Sequence, residues 1–198
     1  IFSATLVARD LYQGDKHIPF FKSYKTDPVE SKYFFYCSRL PRFNIDEHVT
    51  YHQNLTNHAI IMYKGYFFKI DVVNNKNQIK SLEQIKKAIL EIMKIAENRQ
   101  NNELNPNFLQ GYDRNEAAKL FSYMENDPKN KKIFELIASS SIVFCLDDEY
   151  TDSMNNIKEI VYANNRWHDK SCLIVSKDNN ISCYLDETKI YGVGSALA

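Results

Sequence analysis

Apolar residues in this chain recur first with a strand period and then with a helical one, and the switches mark the elements. The strongest strand signal is HAIIMYKGYFFKIDVV. Its runs Ala59–Tyr63 and Tyr66–Val73 flank Lys64-Gly65 and predict a hairpin closed by a tight turn. After the polar connector NNKNQIK the period becomes helical. Leu82, Ile85, Ile89, Ile92 and Ala96 form one stripe, and Ser81 with Gln84 makes a capping box at its start. A second capping box, Asp113 to Glu116, opens a helix with Leu120, Phe121 and Met124 inward. Pro128 suits the first turn of a third helix, with Ile133, Phe134 and Ile137 inward. Ser141–Asp147 is apolar on both sides and reads as an interior strand. Residues 152–164 read as a short helix, with Ile157, Ile160 and Val161 inward. Cys172–Ser176 and Ile181–Leu185, joined by Lys177–Asn180, suggest a closing hairpin.

The first residues are loosely helical through Ile1, Leu6, Val7 and Leu11, up to Gly14. An irregular segment with Pro19 and Pro28 follows; then KYFFYCSRLP is aromatic and compact, and RFNIDEH reads as a loop. Residues 98–112, with Asn105-Pro106 and Gly111, form another loop. The order helix, hairpin, three helices, strand, helix, hairpin predicts the α/β class: a two-layer sandwich of a mixed open sheet and packed helices. At 198 residues the whole chain, 1–198, is expected to form one domain, with a core that needs neither disulfide nor metal.

Composition narrows the function by exclusion. Lys and Arg balance Asp and Glu at 25 each, so the phosphate-neutralising surplus of a nucleic-acid binder and the basic cluster of a membrane-surface anchor are both absent. The longest apolar stretch, LIASSSIVFCL, is short and carries three serines, so no transmembrane segment is expected. Cys37, Cys145, Cys172 and Cys183 show no CxxC spacing, and Cys145, Cys172 and Cys183 lie in apolar runs, as buried thiols of a reducing compartment do. Tyr and Phe, at 13 and 12, exceed what a core needs and suit an interface. The chain starts at Ile1 rather than Met, which is expected of a processed product or a piece of something longer.

The common catalytic templates are missing: there is no phosphate-cradling glycine loop, no GxSxG elbow and no HExxH. His17, His48, His52, His58 and His168 are scattered; His48 and His52 share a helical spacing but lack a third ligand nearby, so no metal is expected. In NNRWHDKS, Trp167 lies between Arg166 and Asp169, the setting of a packing anchor.

NNRWHDKSCLIVSKDNN resembles the stretch N/D-R-W-F/Y-D-K-S/T of the carnitine and choline acyltransferases, which leads into a strand. YFFYCSRLP with Arg39 and Pro41, HAIIMYKGYFFKIDV, SLEQIKKAILEIM and SIVFCLDD resemble further segments of that family in the same order, over roughly residues 1–192. The resemblance implies the coenzyme-A-dependent acyltransferase fold. It also implies transfer of acyl groups between coenzyme A and the hydroxyl of carnitine or choline. Family members are much longer, with two related α/β domains and a tunnel between them. One histidine, in a pattern like G-x-x-x-E-H-S-x-x-E/D-G/A, ends a strand soon after the RWxDKS element and serves as general base.

Carried onto this chain, that pattern falls on Ser182–Thr188. Asp186 matches the acid before the histidine, Glu187 occupies the histidine position and Thr188 matches the serine. Tyr191 stands where the second acid would be, and Gly192 keeps the glycine. A carboxylate with a pKa near ~4.3 is a poor match to an alcohol proton, whereas imidazole suits neutral pH. No histidine follows His168, and His168 is expected to lie at the far end of the strand from this tip. The second domain's coenzyme-binding lysines and its Ser-Thr-Ser and Tyr-Glu-Thr elements are not found.

The expectation is therefore a truncated, first-domain acyltransferase-like chain without catalytic residues or cofactor. Sheet and helix surface that a second domain would cover then demands protein partners. The family resemblance suggests a mitochondrial location and subunits of a large complex. The alternatives are a carnitine or choline acyltransferase fragment and an acyl-coenzyme-A-binding module without turnover.

Overall fold

The computed structural model of the chain describes residues 1–13, 33–51, 56–99, 109, 111–148 and 165–185. Helix α1 spans Phe2–Gln13, and strands β1 (Cys37–Leu40) and β2 (Glu47–Thr50) follow. Next come β3 (His58–Tyr63), β4 (Tyr66–Asp71) and helices α2 (Leu82–Glu97), α3 (Arg114–Glu125) and α4 (Pro128–Ser139). Strands β5 (Val143–Leu146), β6 (Cys172–Val175) and β7 (Ile181–Tyr184) close the described chain. The helix expected over 152–164 lies outside the described residues, as do His17, His52 and the tip at Asp186, Glu187, Thr188, Tyr191 and Gly192.

The five-stranded sheet has the order β4-β3-β5-β6-β7. Both predicted hairpins form: β3 runs antiparallel to β4, and β6 to β7, while β5 is parallel to β3 and β6. Lys64 and Gly65 both have positive φ, at 50° and 78°, so both turn residues are in the left-handed helical region and the two-residue loop matches the right-handed twist of the strands it joins. The mixed open sheet with packed helices is as expected; the helices divide between both faces, so the layers number three and not the expected two. Ala59, Ile61 and Tyr63 of β3 meet Ala8 of α1 and Ile85, Ile92 and Ala96 of α2. The alternate residues Ile60 and Met62 meet Phe121 of α3 and Phe134 and Ile137 of α4. Strand residues point to opposite faces in turn, so with helices on both faces β3 is buried at every position and β5 at Val143, Phe144 and Cys145.

The capping box of α2 is present: the Ser81 hydroxyl accepts from the Gln84 N–H and the Gln84 side chain accepts from the Ser81 N–H. On its stripe Ile85, Ile92 and Ala96 are buried, but Leu82 is exposed in the first turn. At α3 the expected box is only half made. Asp113 accepts from the Asn115 N–H, while Glu116 pairs with Lys119 one turn on. Asp127 caps α4 with Pro128 in its first turn; Phe134 and Ile137 are buried there, but Ile133 faces out. RFNIDEH is a loop only as far as Asp46. Glu47 and His48 belong to β2, which pairs antiparallel with β1 in a small second sheet.

Candidate functional site

The register of β6 against β7 sets the geometry of the end of β7. Cys172, the first residue of β6, lies opposite Tyr184, the last of β7. The chain that enters β6 is therefore beside the residues that leave β7. That incoming chain, Asn165–Ser171, crosses a face of the sheet from one end to the other. At its start the Asn165 amide donates to the Met62 and Leu146 carbonyls, at 3.2 and 2.9 Å, and its oxygen accepts from the Gly65 N–H. Arg166, almost fully buried, grips Asp147 through two parallel bonds of 2.9 and 2.6 Å. Asp147 directly follows β5 (the SIVFCLD strand), so the pair ties the incoming chain to the sheet's central strand; a bidentate guanidinium–carboxylate contact fixes direction as well as distance. Trp167 packs edge-to-face on Phe67 at 5.5 Å inside the cluster around α3 and α4, the anchor role expected of it.

At the far end the same segment binds β1 and α4. The buried Asp169 carboxylate accepts from Arg39 Nε and Arg114 Nη1, and its backbone carbonyl accepts from the Arg39 N–H and the Ser38 hydroxyl. Arg114 also grips Asp46 at 2.6 Å, which joins α3 to the β1–β2 loop. Lys170 is fully buried, and its Nζ donates to the carbonyls of Cys37 and Ala138 at 2.8 and 3.0 Å. Among the described residues no carboxylate meets it; burial lowers its pKa to about 7. Cys145 and Cys172 touch across β5 and β6, and the hydrogen bond with Cys172 together with burial pushes the Cys145 thiol well up. Cys145 and Cys172 are buried as expected, and so is Cys37, whereas Cys183, expected to be buried, is exposed on β7, which among the described residues pairs with β6 alone. Neither periodicity nor spacing marks Lys170 as a buried cation or Asn165 as a bridge between β3, β5 and the β3–β4 turn.

The histidines divide clearly. His58 opens β3 at the same sheet end as the close of β7, but three strands away, about 14 Å. Its Nε2 donates to the Leu136 carbonyl at 2.8 Å, and burial lowers its pKa. His48 sits on β2 opposite Arg39. His168 differs from the expectation. Its ring lies 4.7 Å from that of Tyr184, tilted by 56°, at the close of β7 and not remote from it. The cause is the hairpin: folding β7 back on β6 brings the start of one strand to the end of the other. The Glu187 and Tyr191 positions lie just beyond, outside the described residues. Among the described residues no group of His, Cys, Asp and Glu is arranged to hold a metal ion.

Fold and site define an α/β domain whose central sheet is pinned by one charged, tryptophan-centred segment. The sequence profile of the choline/carnitine o-acyltransferases matches residues 1–194, and the chain belongs to that family. No curated protein matches it.

Proposed function

We propose that the chain is a non-catalytic acyltransferase-like subunit of a larger protein assembly, housed in the mitochondrion. The observation that carries this reading is a pair of residues that follow β7 in the sequence: Glu187 in the position of the family's general base and Tyr191 in that of its acidic companion. A carboxylate of ordinary pKa takes up an alcohol proton far less readily than an imidazole. The charged residues of the RWxDKS element give no substitute, because Arg166, Asp169 and Lys170 are buried in bonds that hold the sheet. The mitochondrial assignment rests on family resemblance alone.

A second reading is favoured by one contact. His168 against Tyr184 brings an imidazole to the close of β7, as a transferase with a relocated base requires. The test is calorimetric titration of the chain, purified with its natural partners, with coenzyme A and with a long-chain acyl-coenzyme A. The subunit reading expects co-purification in a complex and no saturable heat. Saturable binding without turnover makes the chain an acyl-coenzyme-A-binding module and overturns it.

A further inference from the structure

Strand β4 is an edge strand: among the described residues it pairs with β3 alone. Tyr63 and Tyr66 flank the two-residue turn and form a hydrogen-bonded pair, so Ile61–Phe68 and Ala59–Ile70 do too. The alternate positions Phe67, Lys69 and Asp71 therefore turn their backbone N–H and C=O away from β3. The Ile60 N–H agrees, since it donates to Ile142 on the opposite side of β3. Along this free edge runs an open groove of about 590 Å³ between β4 and α2. Its walls change character from end to end. Lys80, just before α2, and Gln84 and Lys87 on its early part line one end, and Ile92 and Ile95 on its late part line the other. Ile95 is 42% exposed, and Lys69 spends its charge on Asp71 at 2.8 Å, which leaves Lys80 and Lys87 as the groove's net cations beside Glu91.

We infer that this groove receives an extended segment of a partner polypeptide, which adds to β4 as a sixth strand. Main-chain bonds to Phe67, Lys69 and Asp71 supply the pairing, and the graded wall supplies the selection. Lys87 and Ile95 are eight residues apart on α2, about 12 Å along its axis. A strand covers that span in about four residues, and an even step returns the side chain to the same face. The segment thus carries a branched apolar residue and, four positions away, a carboxylate. This deepens the proposed subunit role and rests on it for the existence of a partner.

The test uses the 198-residue chain and a terminally blocked peptide, Thr-Ile-Thr-Val-Thr-Glu-Thr, in which isoleucine and glutamate hold that spacing. Saturable binding is expected, with amide shifts and slowed hydrogen exchange at Phe67, Lys69 and Asp71. Two variants separate the contributions. Lys69→Pro removes an N–H that β3 does not use and should abolish binding. Lys80→Glu with Lys87→Glu should weaken it roughly tenfold, as loss and reversal of two rim charges imply, with the circular dichroism unchanged. The inference falls if the three amides are already protected in the free chain, if no binding saturates at millimolar peptide, or if both variants bind like the parent. Acyl transfer by the chain would sink the subunit reading and leave strand binding to be judged by these amides alone.

Discussion

Replacing Lys170 with methionine should remove a rise of stability with pH that the buried amine creates. In the folded chain the amine is buried against two carbonyls, and its pKa falls from 10.5 to about 7 through desolvation. In the unfolded chain it returns to the ordinary lysine value. Between these two values the unfolded state binds more protons, so stability must rise with pH across that window. From pH 7.5 to 9.5 the gain is about 2–3 kcal/mol for this one group. Methionine fills similar space but has no proton to bind, so its variant loses that rise. It also leaves the Cys37 and Ala138 carbonyls without their donor, a cost of about 1–3 kcal/mol each that does not vary with pH. Urea unfolding of both proteins at pH 7.5, 8.5 and 9.5 isolates the effect, because every other titrating group is common to them. The gap between their midpoints should widen by about 1 M urea over the series. Parallel profiles would refute the argument and mean that Lys170 keeps its proton in the folded state.

Asp147→Asn should destabilise the fold by about 3–5 kcal/mol, since it takes the bidentate Asp147 charge away from the buried Arg166 guanidinium; thermal unfolding with calorimetric detection measures it. Asp113→Ala should cost about 1 kcal/mol through loss of the α3 cap, whereas Glu116→Ala should change chemical-denaturation stability by less than ~0.5 kcal/mol because its bond to Lys119 is exposed. Trp167, the chain's sole tryptophan, is buried, so acrylamide should quench its fluorescence only weakly until the protein unfolds. Trp167→Ala should cost about 3–5 kcal/mol in urea.

Much of the fold was legible because local chemistry and the global structure agree. Lys64-Gly65 encodes its own turn, Ser81 and Gln84 encode the start of α2, and the unbroken apolar run at Val143–Leu146 encodes a strand buried on both faces. The errors fall where tertiary contacts decide. Leu82 and Ile133 fit their helical stripes but sit where no neighbour covers them enough to bury them. Glu116 has a closer cation than the cap it was expected to complete. β2 is short and polar, and only its pairing with β1 makes it a strand. The candidate site was legible as chemistry but not as space. Glu187 and Tyr191 are read from a pattern in the chain, whereas the meeting of His168 with Tyr184 follows from the β6–β7 register, which a linear reading mistook for distance. Lys170 was hidden for a similar reason: three elements remote in sequence enclose it.

The central claim, that no group of this chain deprotonates a substrate alcohol at the close of β7, is tested most directly by acyl transfer from acyl-coenzyme A to carnitine and to choline. The assay compares the parent with His168→Ala and with Glu187→Ala. The account predicts that all three release coenzyme A at the rate of the enzyme-free mixture. Turnover by the parent that either substitution abolishes would contradict it, and would name the residue that serves as base.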